Sequence, residues 1–389
     1  MTSKTADLDL DTRLIHAGKQ DHHGAVTTPI FQSSTFTTPP VISSYEDIRY
    51  IRLNNTPNHA VLATRLAALE GAAASLVAGS GMAAISATLM AVLSPGDHLL
   101  ATDCLYGGSL ALLTEELPMM GVEVDFIDGR DPASWERALR PNTRALWTEP
   151  MTNPLLQVLR LDELAKFARA HELVSMVDNT FCSPINYRPL EHGFDLCVHS
   201  ATKYLNGHSD IVAGCVSGSK EHITRINKRL THLGGSLDPH AAFLLERGLK
   251  TLAVRVRHQN ALALEVARWL DAHPKVTQVN YPGLTSHPDH EHAARYFEGF
   301  GGVLSFELEG QREQVIETVM SLDLPMFAPS LGGPEALITL PSLTSHASIS
   351  AEQRRAIGIS DTLVRLSVGL ESARDLIADF ERALTAHAS

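Results

Sequence analysis

Cysteine is scarce in this chain of 389 residues: Cys104, Cys182, Cys197 and Cys215 stand apart, without CxxC spacing. That excludes a disulfide framework and a zinc ribbon and leaves ordinary buried thiols. Basic charge is also in deficit. Lys and Arg number 32 against 44 Asp and Glu, a formal net charge of −12 with no basic run, so neither nucleic acid nor an anionic membrane is expected as a partner. Long apolar runs are missing too. Stretches such as MAAISATLMAVL fall short of a bilayer span, and the polar start MTSKTADLDLDTR has no signal-peptide core, so a cytoplasmic enzyme is expected. Histidine, in contrast, is plentiful at nineteen residues. His287, His290 and His292 in SHPDHEH follow YPGL in a polar stretch that reads as a solvated loop, and no metal site is expected.

From residue 74 onward, short apolar runs alternate with stretches whose apolar residues recur at i, i+3 and i+4. Strands are expected at ASLVA, HLLAT, VEVDFI, RALWT, LVSMVD, DLCVH and DIVAGCV; helices at GMAAISATLMAVL and LDELAKFARAHE. Such alternation implies an α/β fold whose mostly parallel sheet is covered on both faces, with ligands bound beyond the carboxyl ends of the strands. Residues 1–58, with the Pro- and Thr-rich TTPIFQSSTFTTPP, lack this rhythm and read as an arm packing on a neighbouring subunit. A domain is expected over 59–250. A smaller α/β domain over 251–389 follows, opened by the long helix GLKTLAVRVRHQNALALEVARWLDAH and carrying the strands GGVLSFELEG, EALITLP and LVRLSVGL.

Two residues carry the chemistry together. Taken singly, Asp178 at the end of LVSMVD reads as a capping or loop carboxylate, and Lys203 in HSATKYLNGHSD as a solvated charge. Between strand tips of one sheet, however, an acid and an amine flanked by hydroxyls suit pyridoxal phosphate. The amine forms an imine with the aldehyde, and the carboxylate keeps the pyridine nitrogen protonated. Lysine fits because a desolvated ammonium gives up its proton readily. A phosphate cradle is offered by VAGSGMAAISA, where Gly81 and Met82 supply free N–H groups at a helix start, and Ser200 and Thr202 bring hydroxyls. Tyr106 in DCLYGGS is placed to stack on the ring.

The stretch VDNTFCSPINYRPLEHGFDLCVHSATKYLNGHSD resembles the signature of the transsulfuration, or Cys/Met-metabolism, family of pyridoxal-phosphate enzymes, which includes cystathionine lyases and cystathionine γ-synthases. The likeness continues through SGMAAI, YGGS, SLGGPEALI and LVRLSVGLE. It implies fold type I, the aspartate-aminotransferase-like fold with a seven-stranded central sheet. It also implies Lys203 as the imine lysine, Asp178 as the pyridine partner, Tyr106 as the stacking ring and Asn153 as a neighbour of the cofactor's phenolic oxygen. Tyr50 and Arg52, in an altered version of the family's Tyr-x-Arg element, are implied to complete the phosphate site of the adjacent subunit. The active unit is then a homodimer, usually doubled into a tetramer. Arg365 is implied to clamp the substrate α-carboxylate, with Ser330 nearby.

The expected reaction is elimination of a β- or γ-substituent by C–S cleavage from a sulfur-containing amino acid such as cystathionine, giving a keto acid and ammonia. Lys203 is the general base. The distal pocket departs from the family pattern: Ala111 stands where an Arg is common, Pro329 where a Glu is common, and Gly108 where methionine γ-lyases have Cys. A long dipolar substrate loses partners there. γ-Replacement is the second reading, γ-elimination of a non-sulfur group a third, and a non-catalytic binding protein of the same fold a remote one.

Overall fold

The computed structural model describes residues 8–38, 40–42, 47–347 and 350–386. Of the expected N-terminal arm, residues 1–7, 39 and 43–46 lie outside that set. The described part is largely irregular between the helix Leu10–His16 and the 3₁₀ turn Ile51–Leu53, with one bridge between Thr35 and Tyr50. Its apolar side chains Val26, Val41 and Ile42 are exposed. No helix among the described residues is long and apolar enough to cross a membrane.

Seven strands form the larger sheet: β1 (Ala74–Ala78), β2 (His98–Thr102), β3 (Glu123–Ile127), β4 (Thr143–Thr148), β5 (Val174–Asp178), β6 (Leu196–Ser200) and β7 (Gly214–Gly218). Their order is β1-β7-β6-β5-β4-β2-β3, and β7 runs against both of its neighbours while the other six are mutually parallel. The period of two along each strand divides the core. Leu99, Met176 and Val198 pack with the helices Gly81–Val92 and Lys220–His232, while Leu100, Val177 and Cys215 pack on the other face with Pro57–Glu70 and Leu161–Ala170. Both faces are therefore dry, as the unbroken apolar runs require.

A second sheet holds β8 (Val276–Asn280), β9 (Val303–Leu308), β10 (Met326–Phe327), β11 (Leu337–Thr339) and β12 (Leu363–Ser367), in the order β10-β11-β12-β9-β8. Its pairs are antiparallel except β10 with β11.

Four readings need correction. DIVAGCV is not a strand from its start: β7 begins at Gly214, because Thr202 Oγ1 and N both bond the Ala213 backbone and hold that segment as a loop. The long C-terminal helix starts at Leu252, not Gly248, since a shorter helix, Pro239–Leu249, ends just before it. SHPDHEH is not a solvated loop: His287 is buried and Nδ1 accepts the Asp289 N–H at 3.1 Å, while His290–Tyr296 is helical. Strands β8 and β10 go unforeseen, one masked by the exposed polar pair Thr277 and Gln278, the other only two residues long.

Candidate active site

A cavity of about 640 Å³ opens beyond the carboxyl ends of the parallel strands. Ser80, Gly81 and Met82 reach it after β1, Tyr106 after β2, Glu149 after β4, Asp178 at the tip of β5, and Ser200 and Lys203 at and after β6. The second sheet adds Arg365 from β12, with Ser330 from the segment before β11.

Lys203 sits in a tight turn. Its N–H donates to Ser200 O at 3.2 Å, its carbonyl accepts from Gly207 N at 2.7 Å, and Gly207 takes a φ of +68° that favours glycine. The next residue is bolted down: Tyr204 OH accepts the Gly302 N–H at 3.0 Å, and the buried Arg255 donates to the Tyr204 carbonyl at 2.9 Å. The amine thus leaves a rigid base and enters the cavity, where Nζ donates to Ser330 Oγ at 2.6 Å. Burial, reinforced by the Arg365 guanidinium, lowers its pKa below the usual 10.5. Such an amine sheds its proton more easily than a surface lysine.

Asp178 is 6 % exposed and accepts from Thr180 twice, N–H at 3.1 Å and Oγ1–H at 2.5 Å. Burial raises its pKa above 3.8, against the pull of these two donors and of nearby His199. Thr180 Oγ1 also accepts the Ser200 N–H at 2.8 Å, tying the tips of β5 and β6 together. On the other side stands Glu149, also 6 % exposed, whose Oε1 accepts the Tyr106 N–H at 2.8 Å. Burial first, and then the Asp178 charge, push the Glu149 carboxyl well above its ordinary value.

The helix Gly81–Val92 starts from Ser80, whose hydroxyl accepts the Ala83 N–H at 3.0 Å, and so the N–H groups of the first helical residues face the cavity end. A Cβ on Gly81 would lie 2.8 Å from Ser200 Cβ, so glycine is what lets this helix start approach β6. The Thr202 hydroxyl is engaged with the Ala213 carbonyl at 3.2 Å. Arg365, 7 % exposed, donates to Asn153 Oδ1 at 3.2 Å and to the Ser330 carbonyl at 3.1 Å, while its Nε has no partner in the protein. Ser330 itself takes a φ of +104°.

Lys203, Asp178, Tyr106, Gly81, Met82, Asn153, Ser200, Thr202, Ser330 and Arg365 are thus brought together around one cavity. Tyr50 and Arg52 are not. Arg52 donates to the Thr231 carbonyl at 3.3 Å, with its guanidinium 5.9 Å from the centre of the Tyr50 ring, and neither residue lines the cavity of its own chain. The sequence reading passes over Thr180 and Glu149. The former is signalled only as a hydroxyl two residues past a strand-end acid, the latter as the acid opening EPMTNP. The set fits pyridoxal phosphate: a glycine-lined helix start for an anion, a buried carboxylate for a cationic ring nitrogen, a desolvated amine for an aldehyde, and an unpartnered guanidinium nitrogen for a carboxylate.

The chain matches the family described as Cys/Met metabolism PLP-dependent enzyme over residues 11–385. It is 40 % identical over 378 residues to the cystathionine β-lyase of Lactococcus lactis, covering 96 % of this chain and 98 % of that one. It is also 40 % identical over 397 residues to cystathionine γ-synthase 1, chloroplastic, of Arabidopsis thaliana, covering 99 % of this chain and 70 % of that one. The crystal structure of cystathionine γ-lyase from Lactobacillus plantarum, complexed with L-serine, superposes with a TM-score of 0.92 at 36 % identity over 97 % of this chain and 99 % of that chain. The fold is type I, as expected from the sequence.

Proposed function

We propose, from the premise that this chain belongs to the Cys/Met-metabolism family of pyridoxal-phosphate-dependent enzymes, that it is a carbon–sulfur lyase acting on a sulfur-containing amino acid such as cystathionine. One observation carries the reading: Lys203 Nζ, desolvated and beside Arg365, shares a cavity with the buried carboxylate of Asp178.

When bound, pyridoxal phosphate supplies a protonated ring that accepts the electron pair left at the substrate Cα. Asp178, its carboxylate charge favoured by two hydrogen bonds from Thr180, keeps the ring nitrogen protonated. Tyr106 would stack on the ring, and Asn153 would lie beside its phenolic oxygen. Gly81 and Met82 hold the phosphate through backbone N–H groups, with Ser200 and Thr202 beside them. Arg365 grips the α-carboxylate, drawing on its free Nε, and Ser330 steadies the lysine it already bonds. Lys203 takes the α-proton and hands a proton on to the leaving group. Tyr50 and Arg52 serve the phosphate site of an adjacent subunit, which makes the active unit a homodimer, doubled into a tetramer and located in the cytoplasm.

γ-Replacement is the second reading, favoured because Gly108 and Ala111, shortly after Tyr106 in the chain, bring no charge to hold the far end of cystathionine. Incubation with cystathionine decides: pyruvate marks β-elimination, 2-oxobutyrate marks γ-elimination, and no keto acid, with a new thioether amino acid formed once a thiol is added, marks replacement. Lys203→Ala is expected to abolish the visible absorbance of bound cofactor together with turnover. A wild type that neither colours nor releases keto acid from any sulfur amino acid ends this reading.

A further inference from the structure

Glu149 has no part in the chemistry above, yet it is among the most perturbed groups in the cavity. Strands β4 and β5 run parallel with Thr148 beside Val177, so the next residues of each, Glu149 and Asp178, emerge side by side at neighbouring tips. Both are 6 % exposed and both line the cavity. Two ionised carboxylates in that position repel through a medium with little water, which favours keeping one proton between them. The donors decide where it rests. Asp178 accepts two hydrogen bonds from Thr180 and feels His199 from β6, all of which favour its anion. Glu149 accepts a single one, from the Tyr106 N–H. Other ionisable groups near the pair include Cys104, which follows β2 and feels Glu149, and Cys197 on β6 and Cys215 on β7, which feel Asp178; Lys203 and Arg365 line the same cavity.

We propose that Glu149 is a positioning residue held as the neutral acid, anchoring the backbone of Tyr106 through its carbonyl oxygen while leaving Asp178 as the single negative charge of the pair. The inference rests on the reading of the cavity as a pyridoxal-phosphate site. A neutral anchor is what the site needs there. A second full charge would compete with Asp178 for the cationic ring and would pull the proton distribution of the whole cavity with it.

The test is an unusual order among variants. Glu149→Gln keeps a neutral carbonyl for the Tyr106 N–H; Glu149→Asp keeps an acid but is one methylene short and ionises more readily. We expect kcat/KM to fall about 3-fold in Glu149→Gln and roughly 30-fold or more in Glu149→Asp. Two readouts do not depend on turnover. In wild type, the visible absorbance of the bound cofactor should change as pH rises far enough to ionise Glu149, and this change should be missing in Glu149→Gln. In the full chain stripped of cofactor, a carboxyl raised above its ordinary value of 4.5 binds its proton more tightly in the folded state. The stability it confers is therefore complete at acid pH and lost as pH rises through the folded pKa, so the melting temperature should fall with pH less steeply in Glu149→Gln than in wild type. Glu149→Asp matching or surpassing Glu149→Gln, or melting curves with the same pH slope in Gln and wild type, overturns the proposal. A colourless, inactive wild type condemns the cofactor reading instead, and the melting slopes still judge the pair.

Discussion

At the strand tips, like lies beside like: Glu149 next to Asp178, and the Lys203 amine next to the Arg365 guanidinium. Beneath the N-terminal helices the opposite holds. Arg65 is 3.5 Å from Glu246, both are almost fully buried, and the same carboxylate oxygen accepts from Thr28 at 3.1 Å and lies 3.5 Å from Lys250. Arg65 also donates Nε to the Ala17 carbonyl at 3.0 Å. Burial weighs on both groups of residues and lowers Arg65 too, but there the neighbouring charge, Glu246, is of opposite sign and works against it. In the cavity, desolvation drives Lys203 down and the carboxyls up; a like charge adds to it at Lys203 (Arg365) and at Glu149 (Asp178), and the hydrogen bonds and His199 that oppose it do not outweigh it. A frustrated buried cluster of this kind persists because a ligand supplies the missing charges; a compensated one serves the fold.

The sharpest way to break this contrast is Glu246→Ala. Removing one partner of a buried ion pair leaves Arg65 uncompensated, at a cost of about 3–5 kcal/mol. Denaturant unfolding should record that loss, while kcat of the protein that remains folded stays near wild type. A drop in kcat with stability intact would place this pair in the working site and dissolve the distinction.

Next in size is Arg365→Ala, for which we expect roughly 2–4 kcal/mol of lost transition-state binding, read from kcat/KM. Stability should hold or rise, since a buried cation with a free Nε is removed. The pH profile sharpens the test. Arg365 is the second cause, after burial, of the depressed Lys203 pKa, so its removal lets that pKa climb back toward 10.5. Once substrate has displaced it from the cofactor, the amine is then deprotonated only at higher pH, and the acid limb of kcat moves to the alkaline side. A limb that stays put, with kcat/KM unchanged, would move the carboxylate grip elsewhere.

How legible all this was in the sequence follows the same division. Lys203 and Asp178 announce themselves because each ends or follows an unbroken apolar run, and in a parallel sheet that position is the ligand side. The seven strands are readable for the same reason, apart from where β7 begins: Val212, in the loop before it, is 60 % exposed and lines the cavity although it sits in an apolar run. Glu149 was hidden, since an acid after a strand acquires meaning only from the neighbouring strand's register, a non-local fact. His287 misled in the other direction: polar neighbours in sequence say little about a side chain whose burial is decided by the fold around it. Tyr50 and Arg52 gain no position at the cavity within one chain, so the role proposed for them requires a second subunit.

The smallest expected effect comes from a third kind of pair, opposite in charge but wet. Arg257 on the helix Leu252–Asp271 donates two parallel hydrogen bonds to Asp11 on the helix Leu10–His16, at 2.6 and 2.8 Å, and both side chains are more than half exposed. The geometry matches that of a strong buried bridge, yet water screens it and two mobile side chains must be ordered to make it. Asp11→Asn should therefore cost only about 0.5–1 kcal/mol, and less in high salt. The bond to Arg257 holds the Asp11 carboxyl below 3.8, so its contribution is complete above that value and disappears as pH falls through the lowered one. Wild type and Asp11→Asn should thus converge in stability under acid and separate slightly at neutral pH. If the separation equalled that of Glu246→Ala, complementary charge alone would explain both pairs, and burial would lose its place as the quantity that sorts structural from functional ions in this protein.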